Sequence, residues 1–334
     1  MLEKILHMPF VQFLKAHLRA SKKYWSIRKI TFVAILISIS VTAAIIGVTI
    51  IPIASIPSYK LSFTGLPIKI SGFIFGPIIG FFIGIIADIL SILFIPSYIH
   101  WGYVLVSGIN GLVPGLVSVI LFKFLTNWID KRSRLKSIKE ELKELQFNKT
   151  IEIDLNRITK LERNIKWRKA QIEKLDKQVA HSKINSEKML GWIYLLTTWF
   201  FIALAASINI LVIVEVIDAA AFEKSFLKSQ INVIILTSVG FVSISIFILF
   251  ARFKMKFEKF SIIGAIISFS VILESVQVYL LAYTDSNVLR LEFVPALLQH
   301  IFTAPIKVWF NMIVIYFSWK VINYLLNRNK SINL

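Results

Sequence analysis

Cysteine is absent from all 334 residues, which excludes a disulfide framework and any thiolate metal site and leaves the redox compartment undetermined. No Gly-Lys pair occurs either, so the chain carries no phosphate-cradling P-loop of its own. HExxH and GxSxG are missing, and the five histidines, His7, His17, His100, His181 and His300, are dispersed in sequence. These absences give an enzyme little support and imply no cofactor and no metal. Active transport by this chain would need an ATPase supplied by another one.

Charge is sparse and one-sided, with 19 Asp and Glu against 38 Lys and Arg. A net charge of +19 suggests nucleic acid, but the basic residues fall between long apolar runs rather than over a polar domain, so no nucleic-acid partner is expected. Hydrophobic residues make up 56% of the chain, and the mean hydropathy is +0.73. That excess requires burial in a lipid bilayer.

About 20 apolar helical residues cross the hydrocarbon layer. Such runs occur at 30–51, 103–125, 190–217, 230–251, 261–283 and 293–326. Residues 65–95 are also apolar but are broken at Phe75-Gly76-Pro77, where proline cannot continue a hydrogen-bond ladder. This predicts a short oblique segment at 66–75 and a helix at 78–95. The expected fold is therefore an all-α transmembrane bundle of about eight membrane segments, one of them short.

Lysine and arginine orient it. With the N-terminus inside, segments 1–29, 127–189, 252–260 and 320–334 carry 31 basic residues, and the outer segments 52–65, 96–102, 218–229 and 284–292 carry 4. Without the long loop 127–189 the balance is still 14 to 4. The expectation is a multi-pass protein of the cell membrane with both termini cytoplasmic. Residues 1–29 show no cleavable signal and read as a basic amphipathic stretch on the membrane surface.

The polar block 127–189 cannot sit in lipid. Leu135, Ile138, Leu142 and Leu145, then Ile158, Leu161, Ile165, Ile172, Leu175 and Val179, recur with heptad spacing, with Arg168 at one seam position. This predicts a cytoplasmic antiparallel coiled-coil hairpin turning at Phe147-Asn148-Lys149-Thr150. It serves either to dock a partner or merely to fill a long connection. The domains are then 1–29, a first membrane block 30–126, the hairpin 127–189, an additional transmembrane pair 190–252, and the last two helices with a basic tail, 253–334.

Ionisable groups in hydrocarbon are costly unless paired. Lys69 and Asp88 lie at similar depth on antiparallel neighbours and are expected to meet, as are Glu274 and Lys307. Either pair is a structural ion pair or a substrate contact. Asn110, Asn209, Gln277, Gln299 and Asn311 suit interhelical hydrogen bonds. Gly76, Gly80 and Gly84 lead to Asp88 on one face, Gly111 and Gly115 follow, and Ala34, Ser38 and Thr42 form another small-residue face, all favouring close packing. Lys60, Phe63, Trp101 and Tyr103 give the outward loops aromatic faces with few charges, fit for stacking on a flat ligand or for an interfacial belt.

The run Lys60-Leu61-Ser62-Phe63-Thr64-Gly65-Leu66-Pro67-Ile68, then Gly72 to Gly80, Gly84 to Asp88, Gly102-Tyr103 and Gly111 to Gly115, resembles the substrate-binding S component of energy-coupling factor (ECF) vitamin transporters, most closely the folate type. Pro305-Ile306-Lys307 is similar to the family's last helix. The resemblance implies a six-helix subunit that captures a vitamin, folate first, on the outer side while a transmembrane T component and two cytoplasmic ATPases drive uptake. It implies substrate contacts from Lys60, Phe63, Lys69, Asp88, Trp101, Tyr103 and Asn110. The family's AxxxA partner motif on the first helix would fall on Ala34 and Ser38, with Thr42 one turn on. Two other readings stand beside it: a membrane scaffold that recruits partners through the hairpin, and a self-sufficient carrier or channel.

Overall fold

The computed structural model describes residues 27–50, 57–94, 100–125, 131–152, 155–180, 186–218, 222 and 229–328. Among them every regular element is helical, and the chain divides into two compact units, Met1–Val119 with Tyr194–Leu334, and Ile120–Ile193. The basic N-terminal stretch, the loop residues 96–99 and the tail 329–334 lie outside the described residues.

In the first unit the helices are α1 (Ile27–Ile50), α2 (Pro57–Phe75), α3 (Pro77–Phe94) and α4 (Trp101–Ser118, continuing as a π-helical stretch from Val119). They are followed, after the second unit, by α7 (Ser186–Glu215), α8 (Gln230–Lys254), α9 (Phe257–Leu289) and α10 (Phe293–Arg328). Six of these are long and apolar enough to cross a membrane: α3, α4 and α7 to α10. In α1 and α2 the described apolar stretches are shorter, Ile30–Ile46 and Gly65–Phe75.

The break predicted at Gly76-Pro77 is present: Gly76 adopts φ 95°, a left-handed conformation that L side chains avoid, and α3 begins at the proline. The segment before it is longer than expected. Helix α2 starts at Pro57 rather than 66, because Pro57 suits a first helical position and Pro67 is accommodated within the helix.

Lipid tails are as apolar as leucine, so helices in a bilayer associate through close packing rather than through a hydrophobic gain. The glycines provide it. A Cβ on Gly72 or Gly80 would collide with the Gly111 carbonyl oxygen, and one on Gly111 with that of Gly80. Helices α2, α3 and α4 therefore meet backbone to backbone at one knot. Around it Val33 and Leu36 of α1 pack on Ile68, Phe75, Ile79, Ile83 and Ala87.

Helix α9 is the most buried of the long apolar helices. It runs to Leu289 and stops at Arg290, φ 54°, so the connection expected to span 284–292 contracts to 290–292. Polar side contacts join α7 to α9 and α8 to α10. Thr198 lies 3.0 Å from Ser268, Tyr279 donates to Asn209 at 3.2 Å, and Trp309 donates to Ser243 at 3.2 Å. The other faces of α7 and α8, with Leu196, Phe200, Ile246 and Phe250 among them, are exposed.

The second unit holds α5 (Lys131–Ile151) and α6 (Leu155–Ala180). They pair antiparallel, as Lys139–Asp176, Glu141–Arg168 and Lys149–Glu162 at 3.4, 2.7 and 2.6 Å fix. The turn lies later than predicted. Residues 147–150 remain helical and Thr150 bonds back to the Phe147 carbonyl, so α5 ends at Ile151. Arg168, on the seam, is held by Glu141 and stacks on Trp167 at 4.8 Å.

Candidate functional site

One face of α9 carries Glu274, Gln277, Leu281 and Asp285 at three- and four-residue spacing, a stripe about 16 Å long at 1.5 Å per residue. Three neighbouring helices aim polar side chains at it. From α4 come Tyr103 and Asn110, from α10 His300, Lys307 and Asn311, each set at multiples of a helical turn, and from α2 comes Lys69.

Contacts form in layers. In the first, the Tyr103 hydroxyl donates to Asp285 Oδ1 at 2.6 Å and His300 Nε2 lies 3.0 Å from Asp285 Oδ2, all three residues being buried. In the second, Gln277 Nε2 donates to Asn110 Oδ1 at 2.9 Å, and the backbone of α2 comes close enough at Gly65 that a Cβ there would lie 3.3 Å from Asn110 Nδ2. In the third, Lys69 Nζ donates to Asn311 Oδ1 at 3.1 Å and stands 3.6 Å from Glu274, which Lys307 approaches at 3.8 Å. The Asn311 amide donates to Glu274 at 3.3 Å. Two ammoniums thus share one carboxylate, with Lys69 and Glu274 almost fully out of solvent.

The predicted Glu274–Lys307 pair is present. Lys69 does not pair with Asp88; it reaches across to α9 and α10. Asp88 is buried, one helix away on α3. Asn110, Gln277, Asn209 and Asn311 make the interhelical bonds their type suggested. Tyr103 is buried with its hydroxyl engaged and so offers no open stacking face. Trp101 is 61% exposed at the start of α4, its ring 5.5 Å from that of His100, which caps the helix by accepting from the Gly102 amide. Lys60 and Phe63 fall within the helical backbone of α2, but their side chains lie outside the described part. Ala34, Ser38 and Thr42 all stand exposed on α1.

Sequence reasoning missed Asp285 and His300. The helical period of α9, continued one more turn past Leu281, reaches Asp285, and an antiparallel neighbour joined by a short turn brings His300 level with it. It also missed two hydroxyls. Ser107, on the Tyr103–Asn110 face of α4, and Ser270, one turn before Glu274, are fully buried with no hydrogen-bond partner for Oγ among the described residues. Ser71, Ser91, Ser268 and Ser275, by contrast, all bond back to a carbonyl of the preceding turn.

Residues 24–134 match the family described as ECF-type riboflavin transporter, S component. The match spans α1 to α4 and the first residues of α5, about a third of the chain. A curated protein from Mycoplasma pneumoniae, described as uncharacterized protein MG098 homolog, is 26% identical over 118 residues. The alignment covers 34% of this chain and 24% of that protein, so the chain spans about a quarter of the relative's length. No solved structure matches. The chain is a membrane protein with several apolar helices, and over residues 24–134, where Lys69, Asp88, Tyr103 and Asn110 lie, it is similar to an ECF S component.

Proposed function

We propose that this chain is the substrate-capturing membrane subunit of an ATP-driven ECF vitamin importer. It lies in the cell membrane with both termini and the coiled-coil hairpin cytoplasmic. Substrate enters from the outer side between α2, α4, α9 and α10. A T component docks on the exposed Ala34, Ser38 and Thr42 face of α1, and two ATPase chains supply the hydrolysis for which this chain has no P-loop.

The observation that carries this reading is the convergence of polar side chains from three neighbouring helices on one face of α9. A buried, unmatched hydroxyl costs about 1–3 kcal/mol, and Ser107 and Ser270 leave two such groups free for a ligand. The residue-level resemblance is to folate-type members, while the family matching residues 24–134 is the riboflavin type. Both vitamins are flat fused heteroaromatics with a polar tail. Trp101 and Phe63 supply stacking faces, Asn110 and Asp88 polar contacts, and Lys60 and Lys69 meet acidic groups, with folate the first candidate.

The test is titration of the purified full chain with folates, riboflavin and other vitamins, read by fluorescence quenching and by melting temperature. A ligand bound only by the folded state raises that temperature by mass action. Saturable binding of one vitamin supports the proposal, and none across the panel removes it. Co-purification of a T component and two ATPases separates an importer subunit from a scaffold.

A further inference from the structure

We propose that the hairpin helix α6 docks, through one basic face carrying Trp167, on the anionic lipid headgroups of the membrane leaflet on its own side. Arg163, Lys166, Trp167, Ala170 and Lys174 recur at three- and four-residue spacing, which places them on one face about 100° wide. All five are exposed, and no Asp or Glu falls within that arc.

Four of the hairpin's carboxylates are engaged elsewhere, while Glu140 and Glu144 stand exposed on α5 and Glu173 borders the arc on α6. Glu141 is bound to Arg168, Glu162 to Lys149, Asp176 to Lys139 and Glu152 to Arg157. Among the described residues Arg163, Lys166 and Lys174 have no ion pair. The hairpin therefore engages four of its acids at the seam and turn and leaves Arg163, Lys166 and Lys174 together on one outer face.

Trp167 distinguishes this face from a merely solvated one. It is 57% exposed, and the Arg168 guanidinium stacked on its ring holds it in place. Tryptophan beside lysine and arginine suits the headgroup level, where an amphipathic ring and a cation both find partners. Each cation near an anionic surface adds attraction that falls off within a Debye length.

Connectivity favours lipid over a soluble polyanion. The hairpin is joined at both ends to helices long and apolar enough to span a membrane, α4 and α7. Only five residues separate the helical run of α4 from α5, and five separate α6 from α7. The bilayer surface is thus present at high effective concentration whatever else the compartment holds. Helix α6, 26 residues long, is about 39 Å from end to end, enough to lie along several headgroups.

The chain's lack of cysteine gives the experiment a clean reporter. Ala170→Cys in the full-length protein, labelled with an environment-sensitive dye, is placed in nanodiscs of phosphatidylcholine alone or mixed with phosphatidylglycerol. A blue shift and quenching by headgroup-level nitroxide lipid in the anionic discs only, reversed by high salt and by the triple change Arg163→Glu, Lys166→Glu, Lys174→Glu, is the expected result. Equal spectra in the two discs overturn the proposal. So does a shift that survives charge reversal, or one that appears only on adding RNA or an acidic protein. Should the reversal variant fail to fold, the salt titration of the labelled parent and the Gln triple variant carry the same test. Vitamin binding does not enter the readout, so failure here leaves the importer reading untouched.

Discussion

Replacing Glu274 with glutamine keeps the size of the side chain and its ability to accept from the Asn311 amide, but removes the negative charge between two ammoniums. Lys69, with 5% of its side chain exposed, then has only the Asn311 carbonyl, while Lys307 is 22% exposed. Removing one partner of a buried ion pair costs about 3–5 kcal/mol, because the other is left uncompensated. Glu274→Gln is expected to fall in that range. Lys69→Met should cost less, since Glu274 keeps Lys307, and the double variant should recover most of the loss, since replacing a whole buried pair by apolar groups is often near neutral. Thermal unfolding of the four proteins in one detergent gives the cycle. Equal costs for the two single variants, or simple addition in the double, would refute the shared-carboxylate arrangement.

Gly76→Ala should destabilise by about 1–2 kcal/mol, since its φ of 95° suits only glycine and nothing crowds the position; an unchanged melting temperature would count against the break. Tyr103→Phe removes a buried donor to Asp285 and is expected to cost about 1–3 kcal/mol in the same assay, with no cavity to blame. Ala34→Leu, at an exposed position, should leave melting unchanged while co-purified T component and ATPase are lost.

The existence and order of the apolar helices were legible because a run of some 20 hydrophobic residues has one low-energy solution in lipid. So was the break at Gly76-Pro77, where two residues with opposite backbone demands stand side by side. Partner choice was not legible. Depth alone made Asp88 the natural neighbour of Lys69, but at the Gly72–Gly80–Gly111 knot the helices of this region pack by backbone contact, and Lys69 emerges toward α9 and α10 instead. Asp285 was hidden by a boundary. Reading a loop from 284 onward put it in solvent, whereas the helix continues to Leu289 and buries it. In the hairpin two antiparallel helices are present, yet Phe147 to Thr150, polar and asparagine-bearing, looked more like a turn than the helix end it precedes.

The two unpartnered serines separate a ligand site from a merely polar core. By the register that sets Tyr103 opposite Asp285 and Asn110 opposite Gln277, Ser107 stands level with Leu281, while Ser270 lies below the Lys69–Glu274 layer. A ligand that satisfies both extends about 16 Å along α9, the length of a fused ring system with a tail. If the hydroxyls exist for that ligand, Ser107→Ala and Ser270→Ala each relieve an unmet group, and the empty protein should melt at the same temperature or higher, by up to about 1 kcal/mol of added stability. Each should also weaken vitamin binding by up to about tenfold, the worth of one hydrogen bond. Packing hydroxyls would behave the opposite way: the variants would lose stability and bind as before. Melting and titration on the same samples distinguish the two, because stability and affinity move in opposite directions only when the hydroxyl's partner is the ligand.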